Sequence, residues 1–216
     1  MRLLLVRHGL TQSNVQGRYT GQLDVPLTEM GERQAEAVGK RLASEPLNII
    51  ISSDLQRARA TAAAIARYHD HLTIHYDTDL RETSLGEWEG LTYREVNERY
   101  VELVNKRRAD PNFPAPGGES FIQVRDRVMR ARQRWQSQYP DATMLWVTHA
   151  GVIETAVCAF LGLDLTFRRH FRHDNASITE FDLRRDYAIL AALNITDHLR
   201  EPMIEPPHGK NTPFGV

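Results

Sequence analysis

Cysteine is nearly missing from this 216-residue chain: there is one, Cys158. That excludes an intrachain disulfide framework and any multi-cysteine zinc site, and its place in the apolar run Ala156 to Leu161 points to a buried free thiol rather than a nucleophile. Long hydrophobic runs are missing too. No stretch of about 18 apolar residues could span a bilayer, and Met1 to Val6 is apolar only for a strand's length, with no small-residue cleavage pattern behind it. Excess charge of either sign is lacking, since 27 Lys plus Arg face 28 Asp plus Glu. No global field therefore favours nucleic acid or an anionic membrane surface, and any anion binding must be local. Repeats and heptads are absent. The expectation is a cytoplasmic protein with one sizeable core and neither a nucleic-acid nor a membrane partner; a homodimer is left open.

Apolar patterning supplies the architecture. Leu3 to Val6 is a continuous apolar run, the pattern of a strand covered on both faces, and Leu47 to Ile51 and Thr143 to Val147 read as further buried, mainly apolar strands. Thr73 to Tyr76 alternates like a further strand. Helical spacing marks Thr28 to Ala43, with Thr28 as its cap, then Asp54 to Tyr68, Tyr93 to Val104, Glu119 to Tyr139 and Gly151 to Leu161. Asp77 to Gly90 reads as a loop and Asp110 to Gly118, with three prolines, as a connection. Two closing strands, Ile178 to Leu183 and Ala188 to Ile195, lie close enough for an antiparallel hairpin through Arg184 to Tyr187. Strand and helix alternate through most of the chain, so the expected fold is α/β with a mainly parallel, mixed sheet and helices on both faces. One domain over residues 1–200 is expected, followed by a proline-rich tail over 201–216 that is mobile or draped on the surface.

Ligands of such sheets bind beyond the carboxyl ends of the strands. The first strand exits into Arg7-His8-Gly9, the second into Ser52-Ser53-Asp54-Leu55-Gln56-Arg57, the late one into Thr148-His149-Ala150-Gly151, and the loop carrying Glu82 follows the third. Two arginines and two histidines can thus converge, with helix N-termini nearby. Guanidinium forks and free helix-start N–H groups suit the oxygens of a phosphoryl group. A histidine buried among cations stays neutral and can offer a ring nitrogen as nucleophile. Glu82, near Trp88, is the available acid for the leaving alkoxide.

Each residue has a plainer reading. A lone histidine is more often a satisfied core residue, a lone helical arginine more often solvated, and Glu82 stands among Glu87 and Glu89 without distinction. His69 and His71 read as exposed at a helix end. His170 and His173, among Arg168, Arg169 and Arg172, read as a solvated face in preference to a contact with a distal acidic group. Trp135, Tyr139 and Trp146 read as core. Gly31 lies near a helix N-terminus, where glycine is tolerated, and Gly39 allows close packing.

The segments LVRHGLTQSN, GRYTGQLDVPLTEMGERQA, SSDLQRARATA, RETSLGEWEGLT, GGESF and VTHAGVI occur in this order. Together they resemble the histidine phosphatase superfamily, which contains cofactor-dependent phosphoglycerate mutase, and more particularly its small phosphatase branch. The resemblance runs to about Ile195. It implies a phosphoglycerate mutase-like three-layer α/β sandwich and a phosphatase acting on a small phosphorylated metabolite, with no metal and no cofactor. By it His8 is phosphorylated, Arg7, Arg57 and His149 stabilise the phosphoryl group, and Glu82 is proton donor and later base for water. Asn14 contacts the phosphate or helps hold the histidine, Thr20 and Gly21 line the substrate entrance, and Ala150 is a further substrate-binding position. Either Asn14 or a backbone carbonyl should hold the second ring nitrogen of His8. The short Asp110 to Pro116 connection resembles the phosphatases, whereas Arg107 and Arg108 resemble the paired arginines of the mutases. A mutase is the alternative, and a catalytically silent phospho-ligand-binding protein the third reading.

Overall fold

The computed structural model describes residues 1–199; the tail expected over 201–216 lies outside the described residues. Six strands form one sheet: β1 (Arg2–Arg7), β2 (Ile49–Ser52), β3 (Ile74–Tyr76), β4 (Thr143–Thr148), β5 (Ile178–Leu183) and β6 (Ala188–Ile195). Their order is β3-β2-β4-β1-β5-β6, with β1 to β4 parallel, β5 antiparallel to β1 and β6 antiparallel to β5. The mixed sheet and the closing hairpin are as the sequence predicts.

Alternation along the strands decides which residues meet which helices. Leu3 and Leu5 of β1, with Met144 and Trp146 of β4, pack on Val124, Val128 and Ala131 of α6 (Phe121–Gln138) and on Val152, Ile153, Ala156 and Val157 of α7 (Ala150–Leu161). Leu4 and Val6, with Leu145 and Val147, point the other way. They meet Val38 and Leu42 of α2 (Glu29–Leu42) and Ala58, Ala62 and Ile65 of α3 (Gln56–Ala66). Helix, sheet and helix thus make the three layers. Trp146 is fully buried, with Trp135 and Tyr139 packed against its cluster.

Departures from the sequence reading are local. The helix expected over Tyr93 to Val104 is two, α4 (Tyr93–Arg99) and α5 (Val101–Ala109), broken at Tyr100, whose φ of −128° and ψ of 28° leave the helical region. A single-turn helix α1 (Gln12–Val15) follows β1, with Thr11 and Asn14 forming a reciprocal cap. The loop from Asp77 contains two short 3-10 turns, Thr78–Leu80 and Gly86–Trp88, and a third spans Leu165–His170. His69 is buried, not exposed: its Nε2 lies 3.1 Å from the Leu42 carbonyl, which ties the end of α3 to that of α2. Gly39 packs closely, since a Cβ there would sit 2.9 Å from the Ala64 carbonyl oxygen.

The turn after β1 is clamped by the helices beneath it. Leu10 N donates to Gln34 Oε1 at 2.8 Å, Gly9 N to Thr61 Oγ1 at 3.1 Å, and Thr28 N to the Leu10 carbonyl at 2.9 Å. Gly31 faces Leu10 so closely that a Cβ would stand 2.1 Å from the Leu10 carbonyl oxygen. Two helices on one face thereby fix the residue that follows Arg7.

Candidate active site

Parallel pairing sets Arg7 of β1 opposite Thr148 of β4, so the next residue of each strand, His8 and His149, emerges beside the other. Their ring centroids lie 5.1 Å apart. A cavity of about 590 Å³ opens at this edge of the sheet, lined by Arg7, His8, Asn14, Arg57, Glu82 and Ala150 among others; Thr20 and Gly21 belong to its wall too. His149, fully buried beside His8, is not part of that lining.

His8 Nδ1 lies 2.7 Å from the Gly9 carbonyl oxygen. A carbonyl only accepts, so Nδ1 carries the proton and Nε2 the lone pair. Of the two partners expected for this ring, the backbone carbonyl is the one used. Burial foremost, then the cations Arg57 and Arg7, hold His8 well below the usual histidine range, so the ring is neutral. Asn14 turns its Oδ1 to the Thr11 N–H at 3.1 Å and to Asn175 Nδ2 at 3.3 Å. Asn175 Nδ2 also donates to the His8 carbonyl at 3.0 Å.

His149 is likewise neutral, chiefly through burial and secondly through Arg57. Its Nε2 lies 2.9 Å from Ser53 Oγ. Among the described residues Nε2 is the one acceptor paired with the fully buried Ser53 hydroxyl, so the hydroxyl proton goes to Nε2 and Nδ1 becomes the N–H. Arg57 donates through Nη1 to the Leu23 carbonyl and through Nη2 to the Gly21 carbonyl, both at 2.8 Å, and Arg7 Nη1 donates to the His173 carbonyl at 2.7 Å. Burial lowers Arg57 to about 10, which leaves it cationic at neutral pH.

Three donors remain. Among the described residues, Arg7 Nε, Arg57 Nε and His149 Nδ1 are buried without a hydrogen-bond partner. Leaving such a donor unmade is unfavourable by about 1–3 kcal/mol, so three around one neutral histidine mark a place built for an anion. Backbone contributes less than the sequence suggests, because at the start of α3 the N–H groups of Leu55 and Gln56 are engaged by Ser53 Oγ and Asp24 Oδ1. Glu82 accepts from Thr83 N at 2.7 Å and Gly151 N at 3.3 Å. A Cβ at Gly151 would stand 2.6 Å from Glu82 Oε1, so glycine there lets the carboxyl group reach the start of α7.

Sequence reasoning missed the far wall. Arg168 and His173, read as part of a solvated face, are buried and line the cavity with Arg107 and Phe121; His170 is exposed as expected, yet at the cavity's rim. Glu154, which no motif singles out, lines it too and is 7% exposed. The available signal was its helical position, four residues after Ala150 on the same face of α7.

These buried imidazoles make stability sensitive to acid. Burial lowers His173 to about 3, with Arg7 assisting, and His8 and His149 are lowered too. The unfolded chain therefore binds more protons than the folded one once the pH falls below about 6.5, and stability declines from there downward by up to about 1.4 kcal/mol per histidine per unit. Glu154 runs the other way: burial first, then Glu82, push its carboxyl up to about 8, which offsets one of the three. Urea midpoints should fall between pH 6.5 and pH 5; equal midpoints would contradict the neutral assignment.

The family model of the histidine phosphatase superfamily (branch 1) matches residues 3–196. Phosphoserine phosphatase 1 of Hydrogenobacter thermophilus is 34% identical over 206 residues, 95% of this chain and 97% of that protein. Glucosyl-3-phosphoglycerate phosphatase of Mycolicibacterium vanbaalenii is 36% identical over 169 residues, 75% of each chain. The solved structure of a mycobacterial glucosyl-3-phosphoglycerate phosphatase with VO3 superposes with a TM-score of 0.82 at 33% identity, covering 90% of this chain and 99% of the other. Both named relatives are phosphatases of small phosphorylated metabolites. Matched by the family model over nearly its whole described length and 34% identical to a relative over 95% of the chain, the protein belongs to the histidine phosphatase superfamily, branch 1.

Proposed function

We propose that the chain is a phosphomonoesterase that works through phosphorylated His8. The observation that carries this reading is a neutral His8, its Nε2 lone pair free, in a cavity wall beside three unpartnered buried donors. Nε2 attacks phosphorus as the bond to the leaving oxygen breaks, and Glu82 in its acid form supplies the proton that the departing alcohol needs. Water then enters, gives its proton to Glu82 and displaces His8, releasing inorganic phosphate. Arg7, Arg57 and His149 Nδ1 hold the oxygens throughout, fixed by bonds made before substrate arrives. Asn14, Thr20, Gly21 and Ala150 border the substrate. The single buried thiol accords with a cytoplasmic location.

A phosphomonoester panel assayed with EDTA tests the reading, and Glu82→Gln tests the proton donor. With alkyl phosphates Glu82→Gln should lose about 10²–10⁴-fold in kcat. With p-nitrophenyl phosphate, whose leaving oxygen needs little protonation, phosphorylation of the enzyme should suffer far less. Equal losses on both would remove Glu82 from that role. Mutase chemistry is the second reading because Arg107 lines the cavity; it requires interconversion of the monophosphoglycerates to exceed their hydrolysis.

A further inference from the structure

Glu82 owes its place to its neighbours rather than to a regular element. It lies between the 3-10 turns Thr78–Leu80 and Gly86–Trp88, and its carboxyl group accepts from the backbone N–H groups of Thr83 and Gly151. Whatever holds the backbone of this loop therefore sets where the carboxyl group stands.

The segment GGESF supplies that hold. Gly117, Gly118 and Glu119 stand outside the cavity lining, yet the chain here runs close along the loop. Glu119 N donates to the Ser84 carbonyl and Glu119 Oε2 accepts from Ser84 N, both at 2.8 Å, and Glu87 N donates to the Pro116 carbonyl at 2.9 Å. A Cβ at Gly118 would stand 2.5 Å from the Ser84 carbonyl oxygen, so glycine is what allows the approach. Arg127 of α6 completes the grip. It meets Glu119 as a fork, Nε to Oε1 at 3.0 Å and Nη2 to Oε2 at 3.2 Å, and turns Nη1 to the Asp79 carbonyl at 2.7 Å. Arg127 is buried, so water competes little for these charge-assisted bonds.

One ion pair thus grips the chain on both sides of Glu82, at Asp79 before it and at Ser84 after it. Thr148 Oγ1 donates to the Leu80 carbonyl at 2.7 Å, which ties the same loop to the strand that presents His149. We infer that Glu119 and Arg127 are positioning residues that hold Glu82 at the distance proton transfer to the leaving oxygen requires. They act through the loop, since neither lines the cavity. A misplacement of about 1 Å in a reacting group lowers a rate by about 10²-fold. Arg127→Lys keeps the charge and loses the fork.

The inference rests on the reading of Glu82 as proton donor, and the choice of leaving group separates the two. Phosphorylation of the enzyme is followed in single turnovers with p-nitrophenyl phosphate and with β-glycerophosphate. The variants are Arg127→Lys, Glu119→Gln, Glu82→Gln and the double variant Glu82→Gln/Arg127→Lys. Arg127→Lys and Glu119→Gln should each lose about 10- to 100-fold with β-glycerophosphate and less than about 3-fold with p-nitrophenyl phosphate, whose leaving oxygen needs little protonation. In the Glu82→Gln background Arg127→Lys should add no further loss, because the group it places is gone. A merely structural role gives the contrary pattern, equal losses on both esters and a loss that adds to that of Glu82→Gln. Either result overturns the inference, as does full activity of both single variants with β-glycerophosphate. Glu119→Gln carries the test should Arg127→Lys fail to fold. Equal losses on both esters in Glu82→Gln itself remove the donor reading, and the inference falls with it; a selective loss there that neither Arg127→Lys nor Glu119→Gln shares overturns the inference alone.

Discussion

His8→Ala should abolish turnover, with kcat reduced by about 10⁴- to 10⁶-fold, the range reached when a nucleophile is deleted from an otherwise intact site. Rapid quenching with labelled substrate should trap an acid-labile, base-stable phosphoenzyme in the wild type and none in the variant. The size of the effect follows from the geometry. His8 lines the cavity, its Nδ1 is committed to the Gly9 carbonyl, and the two nearby arginines with burial keep the ring neutral. His149, the other imidazole, is fully buried, does not line the cavity and already shares its Nε2 with Ser53. It has no route to replace the lost nucleophile. Turnover by His8→Ala equal to that of the wild type would sink the mechanism.

Gly31→Ala should be damaging in a helix where propensity alone says the opposite. Glycine to alanine in a helix interior is ordinarily favourable by about 1 kcal/mol. Here the new methyl would stand 2.1 Å from the Leu10 carbonyl oxygen and 2.8 Å from Leu10 N, and both are backbone atoms that cannot turn aside. Either α2 moves away from the turn after β1 or the turn moves away from α2. The same turn holds Gly9, whose own position is closed in by the Gly31 carbonyl at 2.3 Å from a built Cβ, and whose carbonyl fixes the His8 ring. We expect a loss of about 3 kcal/mol, at the upper end for overpacking, with kcat down about 10²-fold from the displaced nucleophile. Urea unfolding and steady-state kinetics check both. A stabilised, fully active Gly31→Ala would show that the turn is not braced by α2. Gly39→Ala, facing Ala64 and the ring of Tyr68, is the useful comparison, because it burdens packing far from His8.

The layered fold was legible because buried strands leave a pattern that local sequence carries. Leu3 to Val6 reads as apolar throughout since alternate residues serve two cores, and the first long helix announces itself by its cap, Thr28. Arg7, His8, Arg57 and His149 were legible for a related reason: each follows a strand end, and all those strands end at one edge. Glu82 was legible only through the resemblance. What stayed hidden depends on segments without periodicity. Arg168 and His173 lie in a run rich in arginine and histidine that locally resembles a solvated face, and only the 3-10 turn Leu165–His170 and the chain beyond it fold that run over the cavity. Glu154 was hidden for another reason, since one carboxylate in an apolar helix gives no sign of which neighbours arrive from α5 and α6. The break at Tyr100 likewise has no glycine or proline to announce it; its ring lies 6.0 Å from that of Trp88, a contact made across the chain.

The clamp beneath the first turn and the far wall divide the molecule's labours unevenly along its sequence. The phosphoryl site proposed around His8 stands on the sheet edge and on the helices under it, where even one methyl group is resisted. The far wall of the cavity, Arg107, Phe121 and Arg168, sits instead on a short helix, a helix start and a 3-10 turn. Substitutions in those outlying segments would therefore reshape the far side of the cavity while the clamp that holds the turn after β1 stays in place.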